Sequence, residues 1–204
     1  MEQGPARATL FEVRLPSRVN SKTSEYLKFF CNYTFIPEVR LNTVSVSGHE
    51  YTGIVRDQPV AMVFGKPFVM TVIENNEFSV YKDLREWFEQ TTVNANQTVI
   101  GGGGRSQKMN YYNSYVEDMQ LIKLEQKTEQ EHKRSRNSGD DERDFKEVLE
   151  VNFINAYPVG IGRVSLASDA TDATLQFEIE FNYESYSIKD PAKQNSRYLR
   201  DILR

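Results

Sequence analysis

Residues 173–186 read ATLQFEIEFNYESY. Because side chains on a strand alternate between its two faces, Leu175, Phe177, Ile179, Phe181 and Tyr183 share one side, and Gln176, Glu178, Glu180, Asn182 and Glu184 share the other. The first face requires a core, and the second, an acidic row, requires water or a polar neighbour. The same period appears at 9–15 in Phe11, Val13 and Leu15, and again at 145–155 in Phe145, Val151 and Phe153. Residues 26–36 (YLKFFCNYTFI), 38–47 and 114–125 are rich in residues that suit a pleated sheet, and each predicts a strand. The run 67–73 is apolar on both faces and predicts a strand covered on both sides. Within 51–64, Gly53 and Pro59 predict a bulge, an edge or a loop. A short strand at 162–167 and a turn at 168–172 complete the set.

One segment changes period. Across 78–90, Val80, Leu84, Trp87 and Phe88 fall at i, i+4, i+7 and i+8, the stripe of a helix, with Ser79 or Asn76 as its cap. Leu84, Trp87 and Phe88 are therefore expected as the core side of a helix that covers one face or edge of the sheet, with Lys82, Arg85 and Glu89 pointing outward. Two stretches carry no period at all. Residues 91–110 contain Gly101, Gly102, Gly103 and Gly104, and 126–144 is almost wholly polar or charged, too poor in apolar groups to offset its ordering entropy by burial. The expected organisation is one mainly β domain over 1–186 and a polar extension over 187–204, where RYLRDILR suggests a terminal pair of helical turns.

Composition narrows the function classes. The chain has 204 residues, 39% of them hydrophobic, enough for one sizeable core. No run approaches the roughly 18–20 apolar residues of a bilayer span, and the start lacks a secretory h-region, so a soluble, unexported chain without membrane insertion is expected. Cys31 is the only cysteine, which excludes an internal disulfide. A net charge of −4 lacks the basic balance that tight phosphate binding needs.

Candidate chemistry is sparse, and the reading is of a non-enzyme without metal or cofactor. His49 and His132 have no partner histidine at ligand spacing. The stretch GGGGRSQK departs from the spacing of a phosphate loop and has no confident helix behind it. Glu178 and Glu180 lie about 6–7 Å apart on one strand face, a separation also used by glycosidases, so a soluble β-sandwich that binds or cleaves carbohydrate is the alternative from another class.

The order of several features carries a resemblance. ATLFEVRL is followed by FFCNYTFIPEVRLNTVSVSG with Phe30 and Cys31, then by KPFVMTVIENNEFSVYKDLREWFEQ with Thr71 to Asn75, Leu84 and Trp87. The last segment is LEVNFINAYPVGIGRVSLASDATDATLQFEIEFNYESY, with Ala156 to Pro158, Ile161, Leu166 and Phe177 to Tyr183. This series resembles the tail tube proteins of contractile-tailed bacteriophages over residues 9–90 and 115–186; the insert 126–144 and the tail beyond 187 depart from it. The resemblance implies a β-barrel or β-sandwich with one flanking α-helix and long inter-subunit loops, six copies to a ring, and rings stacked into a hollow virion tube assembled in the host cytoplasm. The implied partners are the chain itself, a tail sheath protein, a baseplate tube-initiator, a tape measure protein in the lumen and DNA in transit. Within that frame Gln176, Glu178 and Glu180 are candidate lumen-facing residues, and Gly101 to Gly104 with Arg134, Arg136, Asp140 and Asp141 are candidate inter-subunit loop residues. The alternatives within the architecture are the initiator itself and the tube of a bacterial secretion or injection machine.

Overall fold

The protein was analysed as a computed structural model that describes residues 9–46, 55–93, 108–127, 145–166 and 174–189. In chain order, β1 (Phe11–Arg14) leads through α1 (Ser21–Phe30) to β2 (Cys31–Thr34). The antiparallel pair β3 (Val39–Val46) and β4 (Arg56–Phe64) precedes β5 (Phe68–Ile73) and α2 (Ser79–Glu89). Then come β6 (Thr92–Val93), β7 (Lys108–Met109), the single turn α3 (Tyr112–Tyr115), β8 (Glu117–Gln126), β9 (Phe145–Ile161), β10 (Gln176–Asn182) and β11 (Ser185–Lys189).

The main sheet has the strand order β1-β8-β9-β10-β5-β2, with β11 also beside β9. Its organiser is the 17-residue β9. The first part of β9 pairs with β8 and β11, and the last part, from Tyr157 to Ile161, pairs with β10. The change of partner falls at Asn155, whose φ of 53° lies in the left-handed region that asparagine tolerates better than most residues. Asn155 is held there from two sides: its N–H donates to Asp118 Oδ1 at 3.0 Å, and its side-chain amide donates to Glu184 Oε2 at 2.6 Å. Pro158, which has no N–H to give a ladder, sits where the β9–β10 register shifts. The expected break after 155 is thus a bend inside one strand, and 162–166, expected as a strand, carries no regular structure.

Since β1 and β2 end the path without pairing to each other, the layers form an open sandwich rather than a closed barrel. Phe68 of β5 meets Phe153 of β9 across the interior at 4.5 Å between ring centroids. Val13, Met70, Ile179 and Phe181 fill the space around them, all at or near zero exposure. The alternation read at 175–183 is realised: Phe177, Ile179, Phe181 and Tyr183 are buried, whereas Gln176, Glu178 and Glu180 are exposed. β5 departs from expectation, because only its Phe68, Met70 and Val72 face is fully buried; Val69, Thr71 and Ile73 are half-buried beside the acidic row.

Among the described residues, two helices, α1 and α2, flank the sheet where one was expected. The aromatic run at 26–36 belongs to a strand only from Cys31 onward; its first part lies in α1, which begins where Asn20 Oδ1 accepts from Lys22 N–H at 3.1 Å. Thr23 and Leu27, four residues apart, are the buried side of α1, and Tyr26 stacks on Phe30 at 4.2 Å. The helical period therefore outweighed the strand propensity of the aromatics. The Thr23 hydroxyl bonds Asp83 of α2, tying the helices together.

In α2, Val80, Leu84 and Trp87 are buried, and Trp87 donates its indole N–H to Tyr115 O at 2.8 Å. Phe88, read as part of the same stripe, is 37% exposed, since three positions already fill the buried arc and the next residue rotates past it. Neither Ser79 nor Asn76 caps this helix. The buried Glu74 carboxylate accepts from the N–H groups of Val80 (3.3 Å) and Tyr81 (2.8 Å), and Asn75 Oδ1 accepts from Glu77 and Ser79 N–H, both at 3.1 Å. β11 crosses the 186/187 boundary expected between domain and extension, pairing Ser187, Ile188 and Lys189 with β9.

Two consequences are measurable. Glu74→Ala leaves two buried helix donors without their acceptor and is expected to lower stability by about 1–3 kcal/mol, read as a lower urea midpoint at unchanged slope. Burial pushes the Tyr183 phenol up to about 12, with neighbouring Tyr186 adding to the shift. Its contribution to stability is intact below the unfolded value of about 10 and is lost as pH rises from there through 12, because only the unfolded chain ionises in that window. Urea titrations from pH 8 upward should show this fall, and Tyr183→Phe should make it shallower.

Candidate assembly surface

Among the described residues, the strands β3 and β4 pair only with each other. They leave the body between β2 and β5, and residues 39–63 among those described are exposed along both strands. Many of these residues are apolar. Leu41 and Met62, partners across the ladder, are each 58% exposed, and Val60, the residue skipped where the register shifts beside Pro59, is 66% exposed. Val39 and Val44 add to this surface. Of the bulge, edge or loop expected from Gly53 and Pro59, a bulge forms beside Pro59, whereas Gly53 lies outside the described residues. A lone two-stranded ribbon is marginal in water, and one with this much exposed apolar area is built to be covered.

The base of this arm, in contrast, is tightly held. Gly65 N–H donates to Glu38 O at 2.8 Å, closing the two legs on each other. A Cβ at position 65 would lie 2.8 Å from Glu38 Cγ, so glycine is needed for that approach. The Tyr186 hydroxyl donates to Pro37 O at 2.7 Å, the Tyr183 hydroxyl donates to Gly65 O, and the Phe64 ring meets Tyr186 edge-on at 5.1 Å. Lys66 Nζ stands 5.7 Å over the Tyr183 ring. Burial raises the pKa of both phenols, so they remain protonated donors at neutral pH.

A second surface is the acidic face of β10. Gln176, Glu178 and Glu180 lie opposite Ile73, Thr71 and Val69 of β5. On the β9 side, Glu180 is opposite Gly160, and Gly162 N–H donates to Glu178 O at 2.7 Å. A Cβ on Gly160 would come within 3.3 Å of the Glu180 carboxylate, and one on Gly162 within 3.0 Å of Glu178 O. The two glycines keep this side of the face low, so the glutamates stand as its main relief.

On the outer side of α2, Lys82 reaches Glu77 O at 2.9 Å and Arg85 pairs with Glu89 at 2.8 Å, while Phe88 stays partly exposed. The open side of the sandwich holds a mostly apolar pocket of about 140 Å³ lined by Phe11, Phe35, Ile36, Leu121, Leu149 and Val151, with Thr34 and Lys123 as its polar members. Gly101 to Gly104, Arg134, Arg136, Asp140 and Asp141, and also His49 and His132, lie outside the described residues. Among the described residues, no three His, Cys, Asp or Glu side chains gather as a metal site. The sequence placed Tyr183 on the core face of its strand, as found, but gave no sign of a contact from Tyr183 or Tyr186 to the base of the arm, nor of the arm's apolar residues as an exposed surface. The available signal was the surplus of valine at 39–63 without a matching core partner.

The phage tail tube protein profile matches residues 5–189. Among solved structures, the fold is similar to a chain in the 6-fold symmetrised anti-feeding prophage baseplate, with TM-score 0.56 and 11% identity over 92% of this chain and 97% of that one. It is also similar to a chain in the anti-feeding prophage cap, with TM-score 0.52 and 13% identity over 93% and 94%. A chain in the sheath–tube complex of the PVC extracellular contractile injection system gives TM-score 0.51 and 10% identity over 93% and 94%. At these identities the likeness is one of fold. No curated protein matches the chain. With its profile match running from before β1 to the end of β11, the chain belongs to the phage tail tube protein family.

Proposed function

We propose that this chain is the repeating subunit of the inner tube of a contractile phage tail, that six copies close a ring, and that rings stack head to tail into the conduit through which DNA leaves. The observation that carries this reading is the β3–β4 arm, a ribbon rich in apolar side chains that the described residues of its own chain leave uncovered. In a ring, the arm of one copy lies on the next, and a heterologous contact of this kind either closes a ring or propagates a filament. Unpaired edges at β1 and β2 offer further backbone for joining sheets between copies.

Glu178, Glu180 and Gln176 line the lumen in this reading. A wall of carboxylates repels phosphate, so DNA and a tape measure protein pass without sticking, whereas a basic wall would hold DNA through many contacts. The outward side of α2, with Lys82, Arg85 and Glu89, meets the sheath. The fold-level relatives come from a baseplate and a sheath–tube complex, which supports sheath and baseplate as partners. The glycine-rich loop and the charged insert, with Arg134, Arg136, Asp140 and Asp141, serve contacts between subunits. Structural assembly, not turnover, is the activity.

Electron microscopy of the purified chain across a concentration series tests the assembly. Uniform hollow tubes are expected; single rings that never stack would assign the chain to the baseplate as the tube-initiator, and a monomer even with added baseplates would overturn the reading. Leu41→Glu with Met62→Glu should abolish rings while changing the urea-derived stability by no more than about 0.5 kcal/mol, because both sites are exposed in the isolated subunit. For the lumen, tubes of Glu178→Lys with Glu180→Lys should retain DNA in a salt-dependent way that the parent tubes do not. Equal DNA retention by the two would place this face elsewhere.

A further inference from the structure

We propose that Tyr183 and Tyr186 are positioning residues whose hydroxyls set the angle of the arm against the body, so that a subunit presents its arm already aimed at its neighbour. This rests on the assembly reading above, but its structural half stands on the isolated chain. The arm is joined to the body by two irregular segments, residues 35–38 and 65–67, and neither lies in a ladder. Left to themselves, two such linkers form a hinge. Each leg is instead held by one phenol: Tyr186 donates to Pro37 O on the leading leg at 2.7 Å, and Tyr183 donates to Gly65 O on the returning leg.

The two tyrosines are themselves referenced to the core. Phe153 contacts Tyr183 at 5.0 Å and Tyr186 at 5.8 Å between centroids, and Phe153 is the residue that meets Phe68 across the interior. The arm's direction is thereby fixed relative to the sheets rather than to a surface loop. Position 183 is also one at which packing alone asks for phenylalanine, since the residue is 1% exposed and continues the apolar row of β10. A hydroxyl at such a site costs stability unless it is bonded, and its bond here goes to the arm. Two phenols on two legs resist swing in a way that one could not. A pre-aimed arm spares the ordering entropy that a swinging arm would lose on docking, which favours association.

The test separates aim from fold. Tyr183→Phe, Tyr186→Phe and the double variant are made in two backgrounds: a Cys31→Ser chain spin-labelled at Gln58→Cys on the arm and Glu86→Cys on α2 for the distances, and the otherwise unaltered, unlabelled chain for stability and assembly. Three quantities are read: the arm-to-body distance distribution at concentrations below assembly, the urea midpoint, and the threshold concentration for assembly by light scattering. The double variant should broaden the distance distribution and raise the threshold about tenfold while the chain remains folded. A distribution as narrow as the parent's overturns the proposal, even if the urea midpoint falls, because a purely structural hydroxyl moves only the midpoint. If the double variant fails to fold, Tyr186→Phe, at a partly exposed site, carries the same comparison. A parent chain that never assembles defeats the assembly reading, whereas the distance distribution still decides whether the tyrosines aim the arm.

Discussion

Everything in this subunit hangs on one strand changing partners. β9 begins in the layer of β1, β8 and β11 and ends in the layer of β10, β5 and β2, so a single covalent segment links both halves of the sandwich. The bend at Asn155 is what lets it do so, and the contacts from Asp118 and Glu184 hold a conformation that most residues avoid. Once that corner exists, Phe153 on one side of it faces Phe68 from the other layer, and the interior closes around them. The apolar row of β10 then has a place to go. Its acidic row is turned outward by the same geometry, with no separate instruction needed.

The arm and the core are less independent than their surfaces suggest. The body buries a continuous apolar core, while Phe29, Tyr111 and Leu166 stay exposed on it, and the chain also places valine, leucine and methionine side chains, interleaved with polar ones, on a ribbon that the described residues of the body do not cover. Selection for a stable monomer alone would not keep such a ribbon, because exposed apolar edges favour uncontrolled association. Membership of the tail tube family accounts for that expenditure in general terms. The close fit at the base accounts for how the liability is kept directional: Gly65 against Glu38, and phenols on both legs, leave the arm few ways to point.

What could be read from the sequence follows what local patterns can encode. The β10 alternation, the buried stripe of α2 at Val80, Leu84 and Trp87, and the bulge by Pro59 depend on neighbours a few residues apart, and they were legible. The family resemblance was legible for a similar reason, as an order of local motifs. The second half of α1, residues 26–30, suggested a strand because aromatic residues suit strands in general, and only burial of Thr23 and Leu27 against the rest of the fold decides for the helix. The cap of α2 was misplaced because Glu74 acts across six or seven residues of backbone around the left-handed Phe78. The continuation of β9 through Pro158 and the hold of Tyr183 and Tyr186 on the arm depend on contacts distant in sequence, which no window reveals.

The insertion point of the arm has a mechanical meaning. Its legs lead through residues 35–38 and 65–67 to β2 and β5, which pair with each other, and β5 pairs in turn with β10 at the centre of the sheet. A force that reaches β5 in line with that strand would pull it lengthwise against β10. All the hydrogen bonds between those two strands then share the load together, as in a lap joint, instead of parting one after another as in a zip. A handle joined in this way delivers its load to the body in shear.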